Sequence, residues 1–306
     1  WTDTLQLNWF NPLTRSALMQ ELERLTPYCD GFRCDMAMLI LNEVFAKTWA
    51  SFDVGPVPKD EFWTKVFRLF PDKIWIAEAY WGKERALADL RFSFVYDKRF
   101  YDLLANQEFP QLFEHVSTCD FPPLRFLENH DEQRARNVFG SSLLRACSIF
   151  CESVPGLKLY HHGQLTGEKI RIPVQLKRKQ REAPDRELES FYRKLLEVFD
   201  HPCFRRGRRR SCPVERHYDD SWKSIFAVEF RYLHFWKLVV VNLDGSQAQS
   251  TVRLDLPDEA DLHVWLDDQW NEKTYVRDAE DLRQNGLHVI LQGHEAHVFS
   301  ISTVAR

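Results

Sequence analysis

The sequence predicts an α/β protein built on a parallel sheet, followed by a small antiparallel β-sandwich. Three observations carry this. Up to residue 211, short apolar runs alternate with amphipathic helical patterns, the signature of strand-helix units in a parallel sheet. Three of the runs stop at polar residues, namely Asp35, Glu78 and Asp131. From residue 212 onward the pattern changes to short β-branched and aromatic runs separated by turn signals such as Asp244-Gly245 and Asn285-Gly286. A closed barrel and an open doubly wound sheet both fit the first part, and in either the carboxyl ends of the strands form the site.

Taken in order, residues 1–12 read as a loop. Thr14 to Leu25 is an amphipathic helix with Leu18, Leu22 and Leu25 on one face and Thr14 as its N-cap. A strand runs through Gly31 to Asp35, and Pro58 to Phe70 is a helix with Phe62, Val66 and Leu69 on one side. Lys73 to Ala77 is too short for a helix and reads as a strand buried on both faces. Lys83 to Leu90 is a short helix, Phe92 to Tyr96 a strand, and Phe100 to Leu104 and Phe109 to Val116 are helical. Leu124 to Leu127 leads into Glu128-Asn129-His130-Asp131, and one long helix is expected from Glu132 to Cys151. Gly156 to Tyr160 is a further strand, and Glu187 to Phe199 a further helix. The sandwich strands are expected at Ile225–Arg231, Trp236–Leu243, Thr251–Leu256, His263–Leu266, Leu287–Leu291 and His297–Ile301.

Composition narrows the function classes. The 306 residues, 44% hydrophobic, can bury a sizeable core. A formal net charge of -4 gives no global attraction to nucleic acid or to an anionic membrane, and no apolar run has the length of a membrane span. The basic run Arg205-Arg206-Gly207-Arg208-Arg209-Arg210 lacks aromatic interleaving and reads as a solvated loop rather than a nucleic-acid patch. Seven scattered cysteines form no CxxC pair and no zinc spacing, so reduced thiols in a cytoplasmic protein are expected, with Cys147 and Cys151 in the core.

The chemistry sits at the strand ends. Arg33 and Asp35 are two residues apart, so in a strand both point to one face, where the arginine can hold the aspartate ionised and fix its rotamer. Taken alone, this pair is equally a structural ion pair capping a strand. Glu78 and Asp131, with His130 beside it, follow at intervals of 43 and 53 residues. Carboxylates converging from such ends push their pKa values apart, leaving one protonated as an acid and another ionised as a nucleophile. That is the equipment of retaining glycoside hydrolysis, in which the two carboxyls lie about 5–5.5 Å apart. A divalent-metal site of a phosphoryl or lyase enzyme also suits three acids, although Arg33 would oppose a cation.

Gly31-Phe32-Arg33-Cys34-Asp35-Met36-Ala37, Ile76-Ala77-Glu78-Ala79 and Phe126-Leu127-Glu128-Asn129-His130-Asp131 resemble, in order, the second, third and fourth conserved regions of the α-amylase family of glycoside hydrolases. Gln6-Leu7-Asn8 is similar to the short motif near the end of that family's inserted domain, and Pro155-Gly156 to Gly163-Gln164 to its eighth barrel strand. The resemblance implies the C-terminal portion of a (β/α)8 TIM barrel, strands 4 to 8, at 13–211 and an antiparallel β-sandwich domain at 212–306, with 1–12 closing the inserted domain. It implies Asp35 as nucleophile with Arg33 orienting it, Glu78 as acid and base, and Asp131 with His130 on sugar hydroxyls. Tyr80 and Trp81 become candidates for stacking on the leaving-group sugar. An α-glucan or α-glucoside substrate is implied, hydrolysed with retention. Transglycosylation or isomerisation of sucrose- or trehalose-type substrates is the alternative within the class, and an inactive glucan-binding segment the alternative outside it. The family's first conserved region, an aspartate followed by Asn-His, does not occur before Asp35, so the N-terminal half of the barrel is an expected partner. The family's Lys-His pair after the nucleophile reads Met38-Leu39 here, which argues against the calcium ligand it supplies; no cofactor is expected.

Overall fold

The computed structural model describes residues 4–257 and 262–305. Trp1 to Asp3, the start of the expected opening loop, lie outside the described residues. The chain forms two compact units, one comprising residues up to Lys98 with Cys119–Arg125, the other Arg99–Thr118 with Phe126 onward. The expected barrel segment 13–211 is thus shared between the two units, while 212–306 lies wholly in the second.

In the first unit the opening segment is anchored by Asn8, whose amide donates to the Val54 carbonyl at 3.1 Å. The first helix, Pro12–Leu25, starts two residues before the expected cap. Asn11, not Thr14, caps it, its side chain accepting from the Leu13 amide at 2.9 Å, because Pro12 needs no donor at the first helical position. Four strands form a parallel sheet: β1 (Gly31–Cys34), β2 (Ile74–Ala77), β3 (Phe94–Tyr96) and β4 (Pro123–Phe126), paired in chain order. Trp75 and Ala77 of β2 are buried, but Ile74 is 47% exposed, so the strand is not covered on both faces at its start. The helix expected from Pro58 begins at Phe62, and Leu69, expected on its apolar face, is exposed. Residues before it serve as a bracket: the Glu61 carboxylate accepts from the Asn42 amide at 3.1 Å. Helices Glu84–Asp89 and the start of Lys98–Ala105 follow β2 and β3. Arg125 of β4 and Asp97 make a fully buried pair, Nε to Oδ2 at 2.9 Å.

The second unit holds helices Phe109–Thr118, Ser142–Ser153 and Arg186–Phe199, with β5 (Leu157–Leu159) between the last two. The single helix expected over 132–151 is instead two, Ala135–Phe139 and Ser142–Ser153, broken at Gly140, which sits at φ +69°. Residues 132–134 are drawn off by the loop that precedes them. Cys147 and Cys151 are buried as expected. The part after residue 206 is two antiparallel sheets sharing one core that includes Leu238, Val240, Val252, Val264, Leu287 and Leu291. Their strands are β6 (Arg208–Ser211), β7 (Val214–Glu215), β8 (Ile225–Tyr232), β9 (Phe235–Asn242), β10 (Ala248–Val252), β11 (Leu262–Asp268), β12 (Lys273–Asp278), β13 (Leu287–Leu291) and β14 (Ala296–Ala305). One sheet runs β13-β10-β7, the other β12-β11-β14-β9-β8-β6.

Three sandwich expectations change. The strand expected at Thr251–Leu256 lies at Ala248–Val252 instead. The basic run is not a solvated loop: Arg208–Ser211 is an edge strand, where Arg210 Nε meets the buried Glu229 at 2.5 Å and Arg209 Nε donates to the Ser153 carbonyl at 3.3 Å. Asn285-Gly286 is no hairpin turn. It closes the helix Ala279–Asn285, with Gly286 at φ +75° as the left-handed C-terminal residue. Among the described residues no helix is long and apolar enough to cross a membrane.

The β1–β2 pairing depends on Gly31. A Cβ there would lie 2.2 Å from the Ile74 carbonyl oxygen, a backbone atom that cannot swing aside. Gly31→Ala is therefore expected to lower stability by about 2–3 kcal/mol, measured as a urea-midpoint shift at unchanged m-value. An unshifted midpoint would refute the close-approach argument.

Candidate active site

The ends of β1 and β2 are knotted together by Glu78. Its amide donates to the Cys34 carbonyl and its carbonyl accepts from the Ala37 amide, both at 3.0 Å, continuing the parallel ladder past the strands. Its side chain turns back, where Oε2 accepts from the Met36 amide at 2.7 Å. Met36 adopts the left-handed conformation, φ +43°, unusual for a residue with a side chain. That bend aims its amide at the carboxylate and lets the chain leave the strand directly after Asp35.

Arg33 bridges the two acids. Nη1 lies 2.5 Å from Asp35 Oδ1 and Nη2 lies 3.0 Å from Glu78 Oε1. Tyr80 donates its hydroxyl to Glu78 Oε1 at 3.1 Å, and the Arg33 guanidinium lies over the Tyr96 ring, 5.6 Å from its centroid. The two carboxylates differ in setting: the Asp35 side chain is 78% exposed, that of Glu78 only 3%. Burial pushes Glu78 above the usual carboxylate range; the Met36 amide and Arg33 oppose this, while hydrogen bonding with Asp35 and its charge add to it. Burial alone would lower Arg33, but Tyr96, Glu78 and Asp35 outweigh it and hold the guanidinium charged. Asp35 stands at the lip of a cavity of about 260 Å³ with an apolar wall of Trp9, Phe32, Met36 and Trp63. The arrangement sets an exposed carboxylate beside a buried one whose proton affinity is raised.

The second unit carries another buried carboxylate, Glu128, at the end of β4. Oε1 faces Arg134 Nη1 at 3.0 Å and His161 Nδ1 at 3.2 Å, while Oε2 accepts from the Ala135 amide at 2.7 Å. Arg134 is itself buried and also donates to the carbonyls of His162 and Glu168. Inside this clamp Asn129 Oδ1 accepts from the amides of Asp131 and Glu132, both at 2.9 Å. The loop so fixed presents His130 and Asp131 to solvent, Nε2 and Oδ2 at 3.1 Å. Burial raises Glu128 to about 7 against the pull of the Ala135 amide and Arg134. Burial and then Arg134 lower His161.

Arg33, Asp35, Glu78 and Tyr80 thus meet in the first unit, and His130 and Asp131 pair in the second. Trp81 is 66% exposed at φ +61°. Sequence reasoning missed Tyr96, the Met36 amide and the Glu128–Arg134–His161 cluster. Tyr96 ends a strand as Glu78 does, and Arg134 lies three residues past Asp131, the available signals; His161 had none. Among the described residues no three His, Cys, Asp or Glu side chains are grouped to hold a metal.

No protein-family model matches the chain. Its sequence is 26% identical over 191 residues to Alpha-amylase 3 of Dictyoglomus thermophilum, a match covering 55% of this chain and 35% of that protein. Among solved structures it is similar to the noncanonic maltogenic α-amylase AmyB from Thermotoga neapolitana, with a TM-score of 0.72 at 19% identity over 95% of this chain and 66% of that one. It is also similar to the α-amylase from Geobacillus thermoleovorans, TM-score 0.69 at 15% identity, over 95% of this chain and 64% of that one. A cyclomaltodextrinase gives 0.69 at 17% identity over 97% and 50%. The chain spans about a third of the curated relative and less than two thirds to half of these structures. What the chain shares with these α-amylase barrel structures is a partial barrel with parallel strands and a β-rich part.

Glu128 makes a stability prediction. Between its ordinary value of 4.5 and about 7, the folded protein holds a proton that the unfolded chain releases, so Glu128 lowers stability as pH rises through that window. Glu128→Gln removes this dependence, and the stability of the wild type relative to the variant is expected to fall by about 1–3 kcal/mol from pH 4.5 to 7.5 in urea titrations. Parallel pH profiles would contradict it.

Proposed function

We propose that this chain, a relative of the α-amylase family in sequence and fold, carries the catalytic residues of a retaining glycoside hydrolase acting on α-glucosidic bonds of α-glucans or oligosaccharides. The observation that carries the reading is Arg33 bridging an exposed Asp35 and a buried Glu78 whose proton affinity is raised. Asp35 Oδ attacks the anomeric carbon while Glu78 gives its proton to the glycosidic oxygen, so that the C–O bond breaks and the glycosyl group passes to Asp35. Glu78, now ionised, takes a proton from water as the water oxygen attacks the same carbon and releases Asp35. Two inversions give net retention.

The residues around the pair fit supporting roles. Arg33, through its 2.5 Å contact with Asp35 Oδ1, fixes the aspartate beside Glu78. Tyr80, by its bond to Glu78 Oε1, orients the acid rather than stacking on sugar, and the exposed Trp81 is the stacking candidate. Asp131 and His130, on their clamped loop, take the family role of binding sugar hydroxyls. Barrel strands 4 to 8 correspond to β1–β5 in this reading, and the edge of β1 is where the next strand of the barrel would pair.

Two substitutions test the assignment. Asp35→Asn is expected to lower kcat on maltooligosaccharides at least about 10³-fold. Glu78→Gln should lower it about 10²–10⁴-fold, and much less on an aryl α-glucoside whose phenolate leaves without protonation. No wild-type hydrolysis, or rates unchanged from wild type in both variants, would favour a glucan-binding role without catalysis. Proton NMR of the first product should show the α-anomer; a β-anomer released first excludes double displacement.

A further inference from the structure

The turn between β11 and β12 holds more buried polar structure than a surface hairpin needs. Asp268 is fully buried, and its carboxylate accepts from the amides of Trp270 at 3.1 Å, Asn271 at 3.3 Å and Val298 at 3.2 Å. It also accepts from Asn271 Nδ2 at 2.7 Å and meets His297 Nδ1 at 2.6 Å. From the neighbouring helix Arg186–Phe199, Lys194 Nζ donates to the Trp270 carbonyl at 2.9 Å. The effect is to present one tryptophan on a rigid loop, which lowers the entropy cost of any contact it makes.

Trp270 faces a built surface. Its ring meets Phe191 edge to face, centroids 5.5 Å apart at 82°, and Lys194 Nζ sits 5.4 Å from its centroid. These residues, with Arg145, Arg186 and Ser190, line an open trough of about 590 Å³. Each cation has a carboxylate opposite: Arg145 with Glu187 at 3.4 Å, Arg186 with Glu189 at 2.8 Å, Lys194 with Glu272 at 3.5 Å. The lining cations are therefore paired, Glu189 being shared with Arg193 at 4.0 Å, which weakens the pull of the trough on an anion. An apolar ligand would strand the exposed donors and acceptors. A neutral ligand with a C–H face for the rings and hydroxyls for the charged rim satisfies both, and that is a saccharide.

We propose that the trough formed by Trp270, Phe191 and the Arg145–Ser190–Lys194 rim is a binding site for α-glucan chains, additional to the catalytic residues. It rests on the reading that α-glucans are the substrate. It would hold polymer to the protein between catalytic events, and short substrates would gain nothing from it.

The test is mobility in native gels containing soluble glycogen. Ser190→Trp fills the trough from an exposed position without removing any packed group, and Trp270→Ala removes the platform. Glycogen is expected to retard the wild type, and the half-retarding concentration to rise about five- to tenfold in each variant. A wild type that glycogen does not retard, or equal retardation of Ser190→Trp and wild type, overturns the site even if Trp270→Ala misfolds. Hydrolysis of an aryl α-maltoside by the wild type is scored separately. Retardation lost in the variants without any hydrolysis sinks the proposed function alone, and hydrolysis with unaltered retardation sinks this site alone.

Discussion

The hydrogen bond from the Met36 amide to the Glu78 carboxylate is the constraint on which the candidate site depends. A carboxylate buried to 3% exposure needs its oxygens satisfied, and here a backbone donor, an arginine and a tyrosine hydroxyl do so. Meeting that demand forces Met36 into a left-handed bend. The bend ends β1, frees Asp35 to solvent and starts the short helical turn at Ala37. Gly31 at the other end of the strand lets β1 approach Ile74 closely, so the ladder delivers Arg33 opposite Ile76, one turn of the pleat before both acids.

The same device recurs. Glu128 takes the Ala135 amide on one oxygen and an arginine on the other, and Asp268 takes three amides and an imidazole. In each case a carboxylate at or near a strand end is buried, and the segment that leaves the strand folds back to donate to it. Burial makes the charge costly, so the returning loop is held with little freedom. The loops fixed in this way carry Asp35, His130 with Asp131, and Trp270. Rigid presentation of side chains at the surface, exposed for Asp35 and half-buried for Trp270, is what a binding or catalytic surface needs, and it is supplied by buried anchors.

Burial separates the two acids of the first unit. Arg33 touches both, yet only Glu78 gives up its water shell, and burial outweighs the cation there. Two carboxylates sharing one guanidinium are thus placed in different settings, one exposed and one buried, which is the difference the proposed division into nucleophile and acid draws on.

Strand ends were legible in the sequence because apolar runs of four or five residues stop abruptly at charges; Asp35 with Arg33, Glu78 and Asp131 were found on that ground. The breaks in regular structure were less so. Glu132 to Cys151 has an unbroken helical pattern, and only Gly140 and the Asn129 turn, which spends the amides of Asp131 and Glu132 on a side chain, split it. The arginine run at 205–210 has the composition of a loop, and pairing with β8 and Glu229 makes part of it a strand. By itself the sequence determined the alternation of strands and helices, the change to antiparallel sheet and the carboxylates at the strand ends, because these are local patterns of residue type. Tertiary structure alone decided which carboxylate is buried, which arginine answers it and which loop is pinned, because desolvation and hydrogen bonding act between residues 42 apart for Met36 and Glu78 and 33 apart for Glu128 and His161.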